Sequence, residues 1–368
     1  MKKVISILIM SIVFSFFGIQ AYGNEASDET YRGYIGDGTF DGYNYTCSLL
    51  DEELVTCGSF TSWYYYRDKE KKYYLKYEDF IDLSDKKIIV PDRVNGHDIC
   101  YINGSCGFRK FDLNPENKYM KCVDNVIFSK DGKALISYAQ YDERTEYVIP
   151  TGTEVICYAA FRDCKKAKKI KLPNSVKEFN ADSFSYMNLK ELTLPVDIEV
   201  IPDFCFYANY ELTNFNIPIN SKLNTIETIA FAYCNNLHEL YLPSFEMMID
   251  RSAFGVLRER KTSIQLKSYV QPNPTIEGNT LKWDKISNAS YYEIYQKLNN
   301  GEYKLLGKTK STSHTFETLR QGTVYTFAVK PVSVIPAANY NKETDEEYFP
   351  ETFTIEGTMS EDISVRCK

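Results

Sequence analysis

The chain has 368 residues and a formal net charge of −7, from 43 basic against 50 acidic side chains. That balance lacks the basic footprint of a general nucleic-acid binder. Its 30 tyrosines and 22 phenylalanines suit strand surfaces and contact faces, as in a β-rich extracellular protein.

Met1-Lys2-Lys3 is followed by an apolar run from Val4 to Phe17 and then by Ala21-Tyr22-Gly23. A positive start, a short apolar segment and a small-residue site make residues 1–23 a secretory signal peptide. The run is short for a spanning helix, and no second stretch of spanning length follows. The mature chain is expected to be secreted, extracellular or at the cell surface, without a transmembrane segment. Residues 24–40 are polar and glycine-bearing, and read as a loose leader.

From residue 41 to 268 the pattern is that of a capped solenoid. Tyr43–Cys47 and Leu54–Cys57 flank Asp51-Glu52 and read as a hairpin placed to cover the first exposed core face. Export permits disulfides, and Cys47 with Cys57 is the favoured pair. Cys100, Cys106 and Cys122 stay open, and the spacing of the ten cysteines matches no tetrahedral zinc pattern. Residues 61–85 carry no clear element. Lys87–Pro91 followed by Val94–Ile99 reads as one repeat, degenerate at its end. Val126–Ser129 and Ala134–Ile136 flank Lys130-Asp131-Gly132, a hairpin signal.

A regular period follows. Phe161, Phe184, Phe206, Phe231 and Phe254 are spaced by 23, 22, 25 and 23 residues. Pro150, Pro173, Pro195, Pro218 and Pro243 are spaced by 23, 22, 23 and 25. A period in the twenties means a solenoid. Each repeat ends as Leu-x-x-Leu-x-Leu-Pro or a close variant, as in Leu189–Pro195 and Leu237–Pro243. The alternation before proline is a strand with one buried face, and proline ends it because it has no amide for the ladder. The phenylalanine half is a turn or short helix that fills the space between layers. Cys164 and Cys234 each fall three residues after a repeat phenylalanine, a core position where a free thiol packs as a small apolar group.

Ile156, Ala160, Phe161, Cys164, Ile170, Leu172 and Pro173 fit a recurring pattern, as do Ile226, Ala230, Phe231, Cys234, Leu237, Leu240, Leu242 and Pro243. The repeats resemble the BspA-type leucine-rich repeats of secreted and surface proteins. Met187 and Asn209 stand where that pattern has cysteine. The resemblance implies surface display and, in that family, adhesion to macromolecules.

After Ser268 the character changes. Pro272 and Pro274 mark a linker, and residues 269–368 show short alternating strands at the spacing of an immunoglobulin-like β-sandwich. The stretch resembles a fibronectin type III domain. Trp283 takes the place of its second-strand tryptophan and Tyr292 that of its third-strand tyrosine. Leu319 and Tyr325 resemble its tyrosine corner, with Gln321 at the usual proline. The overall expectation is a mainly β chain, a leucine-rich-repeat solenoid followed by a sandwich.

Only three histidines occur, His97, His238 and His314, and none belongs to a nucleophile–base arrangement. No phosphate-cradling glycine loop is present. The expectation is no enzyme and no catalytic, cofactor-binding or metal-ligating set. Strand side chains alternate, so the residues between the buried leucines form outward rows. Lys169, Glu191, Asn214 and Glu239 make one row, and Lys171, Thr193, Asn216 and Tyr241 the next. This ladder is the candidate ligand face, for a protein or glycan partner rather than nucleic acid. A carbohydrate-associated accessory role, with the sandwich as spacer or sugar binder, is the alternative.

Overall fold

The computed structural model describes residues 110–255, 264–341 and 349–366 in full, together with the backbone of strands between residues 34 and 102. The signal peptide over 1–23 lies outside the described residues. The chain divides into two compact units, residues 1–143 with 156–164, and residues 144–155 with 165–368.

In the first unit, Tyr43–Asp51 and Leu54–Ser59 form the expected hairpin, with Cys47 directly opposite Cys57. Residues 34–40 are not a loose leader but a strand, Tyr34–Phe40, paired antiparallel with Tyr43–Asp51. Gly36 and Gly38 lower its strand propensity, yet an added edge strand needs only backbone partners. Lys87–Val90 pairs in parallel with Lys110–Leu113, as successive solenoid turns do. Met120–Val123, Val126–Ser129 and Ala134–Tyr138 form an antiparallel meander. Its tight turn closes on Asp131 Oδ1, which accepts from the Ser129 hydroxyl at 2.6 Å and the Lys133 amide at 3.0 Å, with Gly132 at φ 83°. Phe161 is buried beside Tyr138, ring centroids 5.1 Å apart.

The second unit holds the regular solenoid. Glu146–Val148, Lys169–Lys171, Glu191–Thr193 and Asn214–Asn216 stack as a parallel sheet. The middle residue of each strand, Tyr147, Ile170, Leu192 and Phe215, is buried. A second parallel ladder joins Val200–Ile201, Thr225–Ile226 and Met248–Ile249. The phenylalanine half of each repeat is a turn. Two residues per turn sit at positive φ, two before and two after the phenylalanine: Ala159 and Asp163, Asp182 and Tyr186, Phe204 and Ala208, Ile229 and Tyr233. That reversal points each phenylalanine inward. Phe184, Phe206, Phe231 and Phe254 stack face to face at 5.4, 5.3 and 5.8 Å, close to the ~4.8 Å separation of paired strands.

Cys205 and Cys234 lie in this core as free, buried thiols, and Cys164 is buried in the first unit. Cys234 Sγ contacts the Phe206 carbonyl oxygen at 3.2 Å, and burial pushes its pKa up to about 12. At Asn209, where the pattern has cysteine, the amide is buried and satisfied. Its Nδ2 donates to the carbonyls of Phe184 and Phe206 at 2.8 and 2.9 Å, and its Oδ1 accepts from the Leu189 amide at 3.3 Å.

Residues 275–366 form the two sheets of a sandwich. Thr275–Glu277, Thr280–Lys282 and Ser313–Thr315 make one. Tyr291–Lys297, Tyr303–Thr309, Val324–Pro336, Thr352–Glu356 and Ile363–Arg366 make the other. Leu281, Trp283, Tyr292, Ile294, Phe316, Phe327 and Val329 fill the space between. The amide of Arg320 donates to the Tyr325 hydroxyl at 3.2 Å, the bond of a tyrosine corner.

Solenoid and sandwich share a sheet. Glu239–Leu242 pairs in parallel with Gln265–Ser268, and Leu266 and Lys267 of that strand pair in parallel with Ile355 and Glu356. The link is tight at Gly357, where a Cβ would lie 2.5 Å from Pro331 Cγ and 2.6 Å from the Val270 carbonyl oxygen. The loop after Pro336 also reaches back. Ala338 forms a parallel bridge to Asp250, and Asn339 Nδ2 donates to Asp250 Oδ2 at 2.7 Å. Phe353 packs edge-on against Phe254, at 5.9 Å.

Truncating Phe231, a ring sandwiched on both faces, is expected to cost about 3–5 kcal/mol. Denaturant unfolding of Phe231→Ala checks this, and a loss under about 1 kcal/mol would remove the ring from the core. Cys164 and Cys234 are expected to resist a thiol reagent in the native chain and to react once it is unfolded. Mass spectrometry of the labelled protein reads both states, and rapid native labelling would contradict their burial.

Candidate functional site

The candidate ligand face is built by the parallel strands, whose pleat turns alternate side chains away from the core. Glu146, Lys169, Glu191 and Asn214 stand in one register row, and Val148, Lys171, Thr193 and Asn216 in the next. Glu191, Thr193, Asn214 and Asn216 are exposed.

The rows do not continue evenly to Glu239 and Tyr241. Among the described residues, no ladder pair joins Asn214–Asn216 to Glu239–Leu242, so the hydrogen-bonded sheet is split there, although Phe206 and Phe231 of the same two layers still stack at 5.3 Å. The split falls in the longest repeat, with 25 residues between Phe206 and Phe231. At the break the Tyr269 hydroxyl donates to the Ile217 carbonyl at 3.2 Å. Tyr241 is half-buried, not a free anchor. Its ring stacks on Tyr269 at 5.2 Å, and Lys267 Nζ lies 5.5 Å above it.

Charges on this face are paired. Lys169 meets Glu191 in an ion pair. Lys171 Nζ lies 2.5 Å from Glu146, and Lys267 Nζ lies 2.5 Å from Glu239. The Lys171 contact holds the Glu146 carboxyl below its ordinary pKa. What remains between the paired charges is an uncharged stretch: the Thr193 hydroxyl and the Asn214 and Asn216 amides.

The most constrained acid lies on the sandwich. Burial alone raises the pKa of Glu293. Hydrogen bonds from the Tyr295 hydroxyl, at 2.6 Å, and from Lys308 and Lys330, at 2.9 and 3.0 Å, outweigh it and bring the carboxyl to about 2. Every oxygen is held by a donor of the same sheet, so the group is fixed in place rather than poised for proton transfer. On the solenoid, burial pushes Asp203 and Glu227 upward. Among the described residues, no group of three or more His, Cys, Asp or Glu side chains is placed to hold a metal ion, and no helix is long and apolar enough to cross a membrane.

Residues 137–258 match the family of BspA type leucine-rich repeat regions in six copies. The solenoid is of the BspA leucine-rich-repeat type. Residues 263–347 match the C-terminal domain of GH85 endohexosaminidases, so the fibronectin type III resemblance is carried as far as a sandwich with a tyrosine corner. Among solved structures, a leucine-rich repeat protein from Eubacterium ventriosum shares 20% identity at a TM-score of 0.36, over 50% of this chain and 57% of that one. The pneumococcal vaccine antigen PcpA shares 20% at 0.36, over 50% and 51%. A leucine-rich cell surface protein from Faecalibacterium prausnitzii shares 24% at 0.40, over 45% and 44%. The chain spans about half the length of these three proteins. No protein of curated function matches it.

The depressed pKa of Glu293 has a consequence for stability. A carboxyl held below its unfolded value stabilises the fold above that value and loses the contribution as pH falls through the folded one. Between the ordinary 4.5 and about 2, the parent chain is expected to lose stability more steeply than Glu293→Gln. Urea midpoints across that range measure it, and parallel curves would show that the lysine contacts do not bias the carboxyl.

Proposed function

We propose that the chain is a secreted or cell-surface interaction protein, adhesin-like, that binds a macromolecule through the strand face of its solenoid. The observation that carries the reading is the uncharged, exposed stretch Thr193, Asn214 and Asn216 beside the split in the sheet. On either side charges neutralise one another, and pairs in water contribute little to binding. The amides instead offer donors and acceptors without a charge to desolvate. The signal-peptide pattern of residues 1–23 supports export, and the solenoid fold supplies a long surface for multivalent contact.

A second reading is supported by the match to the endohexosaminidase C-terminal domain. The sandwich would then be a spacer or sugar-binding module in a carbohydrate-associated accessory protein. A glycan array probed with the sandwich-bearing chain separates it from the first.

The strand-face reading is tested with residues 24–368 as bait in a pull-down, followed by affinity measurement on the captured partner. A combined Thr193→Ala, Asn214→Ala, Asn216→Ala variant is expected to keep the parent melting temperature. Its affinity is expected to fall about tenfold or more, equivalent to ~1.4 kcal/mol. Full affinity in a folded variant would place the contact elsewhere.

A further inference from the structure

On the turn side of the repeats, away from the strand face, tyrosines form a ladder. Tyr186, Tyr207 and Tyr233 come from three successive turns, with ring centroids 5.1 and 5.3 Å apart and rings nearly perpendicular. Tyr210 extends the line at 6.4 Å from Tyr233 and is 50% exposed. Phe204 packs on Tyr207 at 5.6 Å. The other rings are half-buried, each presenting part of its surface to solvent.

The repeat pattern does not call for these rings. Two residues after Phe161, Phe184, Phe206 and Phe231 the backbone is left-handed, and the occupants are Asp163, Tyr186, Ala208 and Tyr233. At φ 55° and 63°, Tyr186 and Tyr233 carry a bulky side chain in a conformation that favours glycine, asparagine and aspartate. The left-handed geometry belongs to the turn, since Phe204 and Ile229 share it, but the rings do not: Asp163 and Ala208 hold the equivalent place in their repeats.

We propose that the tyrosine ladder is a binding platform for a neutral oligosaccharide. The patch presents phenol rings and hydroxyls, one layer per repeat, which suits a ligand that itself repeats. Rings accept the apolar faces of pyranose units, and hydroxyls exchange hydrogen bonds with theirs. Asparagine amides border it. Asn236 Nδ2 is anchored on the Tyr210 carbonyl at 2.8 Å, and Asn188 Nδ2 on that of Lys165 at 3.2 Å. The ladder itself bears no charge, so it offers an ionic ligand no counter-charge. It is also a row rather than a pocket, whereas protein hot spots cluster in desolvated pockets. The proposal is independent of the strand-face reading and assigns the sugar to the solenoid rather than to the sandwich.

The test uses residues 24–368 and three probes, chitotetraose, cellotetraose and mannotetraose, titrated calorimetrically. At least one is expected to bind. A Tyr186→Asn, Tyr233→Asn variant replaces each ring with a residue at home in the left-handed region. It is expected to melt at or above the parent temperature and to bind at least about tenfold more weakly. The Thr193, Asn214 and Asn216 alanine variant is expected to bind the sugar as the parent does. Three results overturn the proposal. One is no binding of any probe. Another is unchanged affinity in the tyrosine variant, which moves the sugar site to the sandwich or the strand face. The third is a fall in its melting temperature beyond about 5 °C, which makes the rings structural. Loss of sugar binding only in the strand-face variant would reject the ladder while supporting the strand face.

Discussion

The stacking of the repeat phenylalanines is the constraint from which the solenoid follows. Rings lying face to face at 5.3–5.8 Å need each repeat to advance by about one strand spacing, which favours parallel strands in register, and the column runs on even where no ladder pair joins Asn214–Asn216 to Glu239–Leu242. A turn that aims a ring inward from both sides needs a chain reversal before and after it. The paired left-handed residues around Phe161, Phe184, Phe206 and Phe231 supply it. With the column in place, the next core position accepts a thiol at Cys164 and Cys234, a thioether at Met187, or an amide at Asn209, provided any polar atom finds a carbonyl. Asn209 meets that condition with both ends of its side chain.

A column of rings must also end. Phe254 has Phe231 on one face, and an open last layer would leave apolar surface and unpaired strand edges in water. The sandwich closes it. Phe353 packs on Phe254, Ile355 pairs with Leu266, and Ala338 continues the second ladder at Asp250. Buried Asp250 organises this contact, taking hydrogen bonds from the Ser252 amide, the Ser252 hydroxyl and Asn339. Ala338 and Asn339, just after the strand that ends at Pro336, therefore do structural work at the end of the solenoid.

Features set by local period were legible in the sequence. The phenylalanine and proline spacing reports the layers, Lys130-Asp131-Gly132 reports its hairpin, and Trp283, Tyr292 and Tyr325 report the sandwich core and its corner. Features set by pairing between distant segments were not. Nothing in Gln265–Ser268 announces a partner near residue 355, because a parallel pair reads in each strand only as burial. The split beside Asn214 and Asn216 left a trace only as a 25-residue repeat among shorter ones. Tyr241 pointed outward by alternation, but Tyr269, beyond the last repeat strand, takes one face of its ring. The tyrosine ladder escaped because its members occupy different repeat positions. Tyr207 is one residue after its phenylalanine, and Tyr186 and Tyr233 are two after theirs.

Because the interior is committed to the column, variation is free only where side chains leave it. On the strand side that freedom is spent on neutralised charge around an uncharged centre. On the turn side, tyrosine occupies two positions whose backbone would accept asparagine or aspartate with less strain, as Asp163 does at the equivalent place. A surface selected for solubility alone would have no reason to prefer a ring there. The left-handed backbone at Tyr186 and Tyr233 belongs to the turn, but the rings that stand there, bridged by Tyr207, are a choice that the turn leaves open.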